Sequence, residues 1–141
     1  MAEEKESLHQ QIMNEAYILW QINKDWDTEE FFDHLNFIQR VAIALGNLNY
    51  QVGNGGFSQW KWNHYAEAHF SFLSRLMNKI DKKIYPQLNK ALDIMMHFIE
   101  KYGVKESKAD ICISEEKYDD EFYSLKNLEK EMEKFISEIE K

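Results

Sequence analysis

The side chains that most often carry out chemistry are scattered along this sequence. Five histidines occur among its 141 residues. His64 and His69 are five residues apart, which places them on different sides of a helix and excludes the His-x-x-x-His pair of zinc proteases. A carboxylate-bridged metal site would need Glu-x-x-His motifs repeated on two helices, and no such repeat occurs. We therefore expect no metal ion.

The candidate nucleophiles lack the neighbours that catalysis requires. Ser58 follows Gly56 and Phe57, but the Gly-x-Ser-x-Gly turn of serine hydrolases is absent. Cys112 is the single cysteine, so it has no partner for a disulfide or a CxxC metal site, and we interpret it as a small hydrophobic residue. Adjacent acids lie in highly charged stretches typical of an exposed helix face. The sequence thus predicts a protein that is not an enzyme and binds no cofactor.

One polar cluster stands out, in residues 51–63, which contain three of the five glycines. Asparagine and glycine adopt positive φ at low cost, so Asn54, Gly55 and Gly56 predict a sharp corner between two helices. Amide side chains nearby suit the unpaired N–H and C=O groups of helix ends, and we interpret them as structural. The alternative is a small-molecule-binding protein or a hydrolase with its pocket at this corner. The amides belong to Gln51, Asn54, Gln59 and Asn63.

Apolar residues recur at helical spacing on both sides of this corner. They predict a first helix over residues 7–23 and later helices over residues 66–80 and 86–102. A stripe over residues 28–52 continues for about six turns, so we expect one long central helix that ends at the corner. A short helix over residues 57–64 follows. No segment alternates as a strand would, which predicts an all-α fold.

Single residues mark where these helices begin, end or touch. Gly46 interrupts the central helix, which indicates the close approach of another helix or a bend. Pro86 suits the first turn of a helix, and Gly103 is a C-terminal stop. Ser114 resembles the start of a capping box and opens an acidic last helix over residues 114–140.

These elements predict one domain over residues 1–141, a bundle of about six helices with a Gly-Gly corner after a long central helix. A hydrophobic content of 44% is enough for a sizeable core. The apolar stripe of the last helix resembles an a/d seam and has two interpretations. We favour packing against its own bundle, and pairing with a second copy in a homodimer stays open.

Charge is unevenly distributed along the chain, whose net charge is −8. Residues 1–35 carry −7, residues 36–109 carry +5 and residues 110–141 carry −6. The acidic ends would repel phosphates, so we expect no direct nucleic-acid binding, whereas they could attract a basic partner. The other interpretation is that the acidic residues keep the surface of the protein soluble in water. The sequence has no 18-residue uncharged apolar run and no signal-like start, so we expect a cytoplasmic protein without membrane association.

The corner motif resembles the signature of a bacterial family of helical domains of unknown function, whose best-known type is a DNA mimic. Its typical form is Glu-x-x-Asn-Gly-Gly-Phe-x-Gln-aromatic, and the resemblance covers about residues 31–102. Gln51 stands where the family has Glu; an amide keeps the acceptor but loses the charge, which favours a structural role. Besides Gln51, the positions of the structural signature match the family one by one, and they are Asn54, Gly55, Gly56, Phe57, Gln59 and Asn63.

The resemblance implies a dimeric, all-helical protein whose acidic surface imitates duplex phosphates and captures a DNA-binding protein. Charge-matched capture of this kind is fast and sensitive to salt. An inhibitor of a toxin or a defence system is a second alternative, since it would also use an acidic face. The carboxylates predicted to bind the partner are those of Glu29, Glu30, Asp33, Glu115, Glu116, Asp119, Asp120 and Glu121.

Overall fold

The computed structural model describes residues 6–105 and 116–141, and the regular secondary structure of these residues is entirely helical. This confirms the all-α prediction, although the described residues form seven helices where about six were predicted. They are α1 (Leu8–Ile22), α2 (Thr28–Asp33), α3 (Phe37–Trp62), α4 (Tyr65–Met77), α5 (Pro86–Tyr102), α6 (Glu116–Tyr123) and α7 (Leu128–Glu140).

Two of the predicted helices have nearly the predicted bounds because their ends are marked in the sequence. The N-cap of α1 is Ser7, whose hydroxyl accepts a hydrogen bond from the backbone N–H of Gln10 at 3.0 Å. Pro86 opens α5, and Gly103 follows its last turn with a φ of 74°. Both predictions made for α5 are confirmed.

The prediction of one continuous central helix from residue 28 is wrong. The chain leaves the helix after Asp33 and re-enters it at Phe37. The reason is a capping box: Asn36 Oδ1 accepts a hydrogen bond from the backbone N–H of Gln39 at 2.9 Å, and Gln39 Oε1 accepts one from the backbone N–H of Asn36 at 3.0 Å. The apolar stripe continues across this break, which hid it at the level of the sequence.

The predicted last helix is two helices. A turn between α6 and α7 contains Asn127, which has a φ of 62°, a conformation that interrupts helical geometry. Ser114, the predicted start, lies outside the described residues, as does Cys112. The apolar stripe of α7 is buried in the same chain, where α7 contacts α1, α3 and α5, as the intramolecular interpretation requires. Its buried residues are Leu128, Met132, Phe135 and Ile136.

The core is organised around α3, in which the five consecutive residues 41–45 are all buried. At Gly46 the sequence predicted a close approach, and the structure confirms it. A Cβ there would collide with the Met13 side chain of α1 and would lie 3.1 Å from His9 Nε2. Although α3 is long and buried, none of the helices in the described residues has the length and hydropathy to cross a membrane.

Candidate functional site

The corner predicted at the Asn-Gly-Gly sequence is a kink within α3, and it lies at Gly56. A φ of 83° and a ψ of 177° at this residue separate a first arm, residues 37–55, from a second arm, residues 57–62. Phe57 donates its backbone N–H to Asp119 Oδ1 at 2.9 Å. A Cβ on residue 56 would collide with the same carboxylate. Gly56 therefore permits both the positive φ and the approach of Asp119, which caps the second arm.

Three of the predicted amides form one cluster across this kink. Gln51 Oε1 accepts hydrogen bonds from Gln59 Nε2 at 2.9 Å and from Asn63 Nδ2 at 2.8 Å. Gln51 belongs to the first arm, Gln59 to the second, and Asn63 follows the last residue of α3. The cluster thus holds the two arms at a fixed angle through a single acceptor. Asn54, the fourth amide, is exposed and lies outside the cluster.

On its inner side the kink is solidly packed. Phe57 and Trp60 are fully buried, and the Phe57 ring stacks on Phe98 of α5 with centroids 5.2 Å apart. Lys61 is also buried, and its Nζ donates a hydrogen bond to the backbone carbonyl of Tyr102 at 2.8 Å. An ammonium at the C-terminal end of α5 opposes the negative end of that helix dipole. Among the described residues, side chains therefore fill the inner side of the kink.

An open groove of about 1060 Å³ lies between α1, the first arm of α3 and α7, and we call it the α1/α3/α7 groove. Gln51 and Asn54 line it, together with Tyr65 of α4. Part of its polar lining is already bonded, since Asn47 Nδ2 lies 3.1 Å from the Tyr17 hydroxyl oxygen and 3.0 Å from the carbonyl oxygen of Ile43. The pocket predicted as an alternative thus has a space beside the corner, but Gln59 and Asn63 do not line it.

The predicted partner-binding carboxylates lie on two helices with different neighbours. Glu29, Glu30 and Asp33 are exposed on α2, which packs against α4. Glu29 and Glu30 occupy the first turn of α2, where negative charge opposes the positive end of the helix dipole. This part of the predicted set faces solvent.

The remaining predicted carboxylates belong to α6, which packs against α3 and α5. Asp120 and Glu121 are exposed, whereas Asp119 is half-buried over the kink. Glu116 begins α6, but its side chain lies outside the described part of the structure. Glu115 lies outside the described residues altogether. The structure therefore gives Asp119 a contact within its own chain that the sequence did not indicate.

Two further carboxylates, both on α7, cap helices of the same chain. Glu133 accepts hydrogen bonds from the backbone N–H groups of Leu8 at 2.8 Å and His9 at 3.0 Å, at the start of α1. Glu131 Oε1 accepts hydrogen bonds from the backbone N–H groups of residues 87 and 88 at 2.8 and 2.9 Å, at the start of α5. Neither of these two contacts was predicted from the sequence. One feature of the sequence could have indicated the contact of Glu131. Tyr85, which precedes Pro86, cannot cap α5 with its side chain, so the cap had to come from another part of the chain.

Two histidines have a lowered pKa, one of them fully buried and the other half-buried. His69 is fully buried against Phe32, with ring centroids 4.4 Å apart, and burial lowers its pKa to about 3. Neither ring nitrogen of His69 has a hydrogen-bond partner in the described part of the chain. His9 Nε2 lies 2.7 Å from the carbonyl oxygen of Ala42, and burial lowers the pKa of His9 as well. Among residues 6–105 and 116–141, no group of three or more metal-ligating side chains comes together.

Comparison with known proteins identifies a family for this chain. The model of the family described as DMP19-like protein matches residues 33–139. The match begins at the end of α2 and continues through α6 and into α7. It therefore extends well past residue 102, where the resemblance based on the corner motif ends. No curated protein and no solved structure matches the chain.

Proposed function

The chain belongs to the DMP19-like protein family, and we propose that it is a non-enzymatic binding protein that acts as a DNA mimic. In this proposal its acidic surface occupies the basic cleft of a DNA-binding protein in the cytoplasm. The observation that carries the proposal is the acidic C-terminal segment, α6 and α7, which lies within the matched residues up to 139.

The outward-facing charge of that segment supports a role in binding. Asp119, Glu131 and Glu133 accept hydrogen bonds from backbone N–H groups of the same chain. The other described carboxylates of α6 and α7 are exposed, and each can meet a basic partner without first breaking such a bond. They belong to Asp120, Glu121, Glu129, Glu138 and Glu140.

Charge complementarity gives this mode of binding a measurable signature. Duplex DNA carries about one negative charge per 1.7 Å of helix axis, so a DNA-binding cleft is basic and electrostatically attracts a surface of acidic helices. Such attraction raises the association rate and weakens steeply with ionic strength. The partner should therefore exchange the chain for duplex DNA, and added salt should weaken both complexes.

The test has two stages. First, the immobilised chain is used to recover proteins from the native host at low salt, and the recovered protein is produced in pure form. Second, its binding to the chain is measured across a salt series and in competition with a duplex oligonucleotide. We expect duplex DNA to displace the chain, and the affinity to fall at least about tenfold between 50 and 200 mM salt.

Matched variants separate a specific acidic surface from net charge alone. We expect Asp120→Asn with Glu121→Gln to weaken the complex by about three- to tenfold. Glu29→Gln with Glu30→Gln removes the same charge from α2, and the ratio of the two losses shows which helix meets the partner. A recovered partner that binds no DNA, or an affinity unchanged by salt, would contradict the proposal.

The alternatives stay predictions. If the chain inhibits a toxin or a defence system, the first stage would recover that toxin or defence protein. Duplex DNA would then not compete with the chain for binding to it. A homodimer would be seen as twice the monomer mass in sedimentation or light scattering. A hydrolase would require a pocket with a nucleophile or a positioned water beside the corner.

A further inference from the structure

A nearly buried side chain of the α1/α3/α7 groove carries a hydrogen-bond donor that bonds to no atom of the described residues. Gln51 is 7% exposed, and its Oε1 is bonded to the two other amides of the kink. Its Nε2 donates to no atom in the described part of the chain, although Gln51 lines the groove. An NH₂ group that reaches the groove and is not bonded within the described residues can donate to an acceptor supplied from outside.

A second polar group that lines the groove is half-buried and also unbonded within the described residues. The hydroxyl group of Tyr65 forms no hydrogen bond in residues 6–105 and 116–141, and Tyr65 also lines the groove. By contrast, Tyr17 and Asn47 are bonded to each other at the same wall. The groove floor thus separates into groups already satisfied by the fold and groups left for a ligand.

The rim of the groove is acidic. Glu129, Glu133 and Lys130 line it, and burial lowers the pKa of the His9 imidazole, which lines the groove as well. Glu133 is bonded to the start of α1, whereas exposed Glu129 has, within the described residues, a 3.3 Å contact with Asn49 Nδ2. Two carboxylates against one ammonium give a net negative rim that favours a basic ligand.

The groove is open to solvent and long enough for an extended chain. Along α3 it is lined from Gly46 to Asn54. Eight residues of helix rise about 12 Å, which equals about four residues of extended backbone. Peptide carbonyl groups are acceptors that suit the donors of Gln51 and Tyr65, and a lysine or arginine side chain suits Glu129.

We propose that the α1/α3/α7 groove binds an extended basic peptide segment, with its backbone carbonyls on Gln51 and Tyr65 and a basic side chain on Glu129. The inference rests on the proposed function in one respect, namely that the segment is a basic arm of the captured DNA-binding protein. It adds a second point of attachment to the exposed carboxylates of α6, which do not line the groove.

Gly53 provides a variant that closes the groove without disturbing the kink. It lies in the groove wall on the first arm of α3, in helical conformation, and a Cβ there would meet no atom within 4 Å. Gly53→Phe therefore fills the groove from an exposed position, and Gly53→Ala is the matched control. Glu129→Gln removes the rim charge, and Glu140→Gln, on the exposed end of the same helix, is its control.

The probe is a fluorescein-labelled peptide, Gly-Ser-Arg-Thr-Lys-Ser-Arg-Gly, and binding is measured by fluorescence anisotropy on the full chain. We expect Gly53→Phe to weaken binding by about tenfold or more because its ring occupies the peptide site, and Gly53→Ala to change it less than about twofold. Glu129→Gln should weaken binding by about two- to fivefold, and Glu140→Gln by less. A peptide with glutamate in place of its basic residues should not bind.

A direct reading of the site keeps the test independent of these variants. In a ¹H–¹⁵N spectrum the side-chain NH₂ signals of Gln51, assigned by their loss in Gln51→Glu, should shift as the basic peptide is added. No shift, or equal binding of the acidic peptide, would overturn the groove proposal. If the peptide binds but the recovered partner ignores DNA, the groove stands and the DNA-mimic proposal fails. If the Gly53→Phe variant captures a DNA-binding protein as well as the unchanged chain does, the DNA-mimic proposal stands and the groove proposal fails.

Discussion

The two acidic segments of the chain use their carboxylates differently. In the N-terminal segment, Glu29, Glu30 and Asp33 are exposed on α2, and within residues 6–105 and 116–141 their carboxylates form no hydrogen bond or ion pair with another helix. In the C-terminal segment, Asp119, Glu131 and Glu133 each accept backbone N–H groups from another helix. One segment is an outward acidic surface, and the other also holds the bundle together.

This difference shows that a count of charges along a sequence is not a map of surface charge. The C-terminal segment carries a net charge of −6 over residues 110–141, yet part of its negative charge neutralises the positive ends of three helices. The same comparison predicts which carboxylates matter for folding and which for binding, and the following variants test it.

The largest effect is expected at the point where the C-terminal segment touches the kink. Gly56→Ala would place a side chain at a positive φ and against the Asp119 carboxylate, so we expect a loss of about 3 kcal/mol in the free energy of unfolding. Urea denaturation followed by circular dichroism measures this loss. Gly53→Ala on the same helix should change stability by less than about 1 kcal/mol, in the stabilising direction. Equal stability of the two variants would contradict the claim that the kink requires glycine at residue 56.

The next effect is on the N-terminal side, where α2 rests on His69 through Phe32. The folded pKa of His69 is about 3, and its unfolded pKa is about 6.5. The unfolded chain therefore binds more protons between these values, so stability falls as pH falls below 6.5, by up to about 1.4 kcal/mol per pH unit. His69→Phe should reduce this slope between pH 6 and pH 4, measured by urea denaturation at each pH. An unchanged slope would mean that the buried ring is protonated in the native state.

The smallest effect compares one carboxylate from each segment directly. Asp119→Ala removes the cap on Phe57, for which we expect a loss of about 1–2 kcal/mol in the free energy of unfolding. Asp33→Ala, on exposed α2, should change stability by less than about 0.5 kcal/mol. Thermal and urea unfolding of both variants check the ratio. If Asp33→Ala were as costly as Asp119→Ala, the two segments would not differ in the way described.

Much of the fold could be predicted from the sequence because helix periodicity and helix ends are local. Pro86 and Gly103 bound α5, and Gly46 correctly indicated a close helix contact. The break before α3 was missed because the apolar stripe runs through it at helical spacing. Its signal was present in Asn36 and Gln39, whose spacing matches a capping box. The capping-box pattern was therefore overlooked because the longer apolar stripe predicted a continuous helix.

The candidate site was predicted less well because its geometry depends on contacts between distant residues. The amides of residues 51–63 could be found together, since they belong to one short stretch. The approach of Asp119 to Phe57 joins residues 62 positions apart, and no local pattern encodes it. Likewise the groove takes its walls from α1, α3 and α7, so the free NH₂ group of Gln51 becomes visible only when these helices are assembled.

The hydrogen bond between Glu133 and Leu8 also constrains the order in which the protein forms. These residues are separated by 125 positions, so during synthesis α1 emerges from the ribosome long before its acceptor exists. At about 5–20 residues per second, the delay is roughly 6–25 seconds. Throughout that interval the nascent chain exposes the apolar face that α7 later covers, which makes it a candidate client for chaperones that bind unfinished helical bundles.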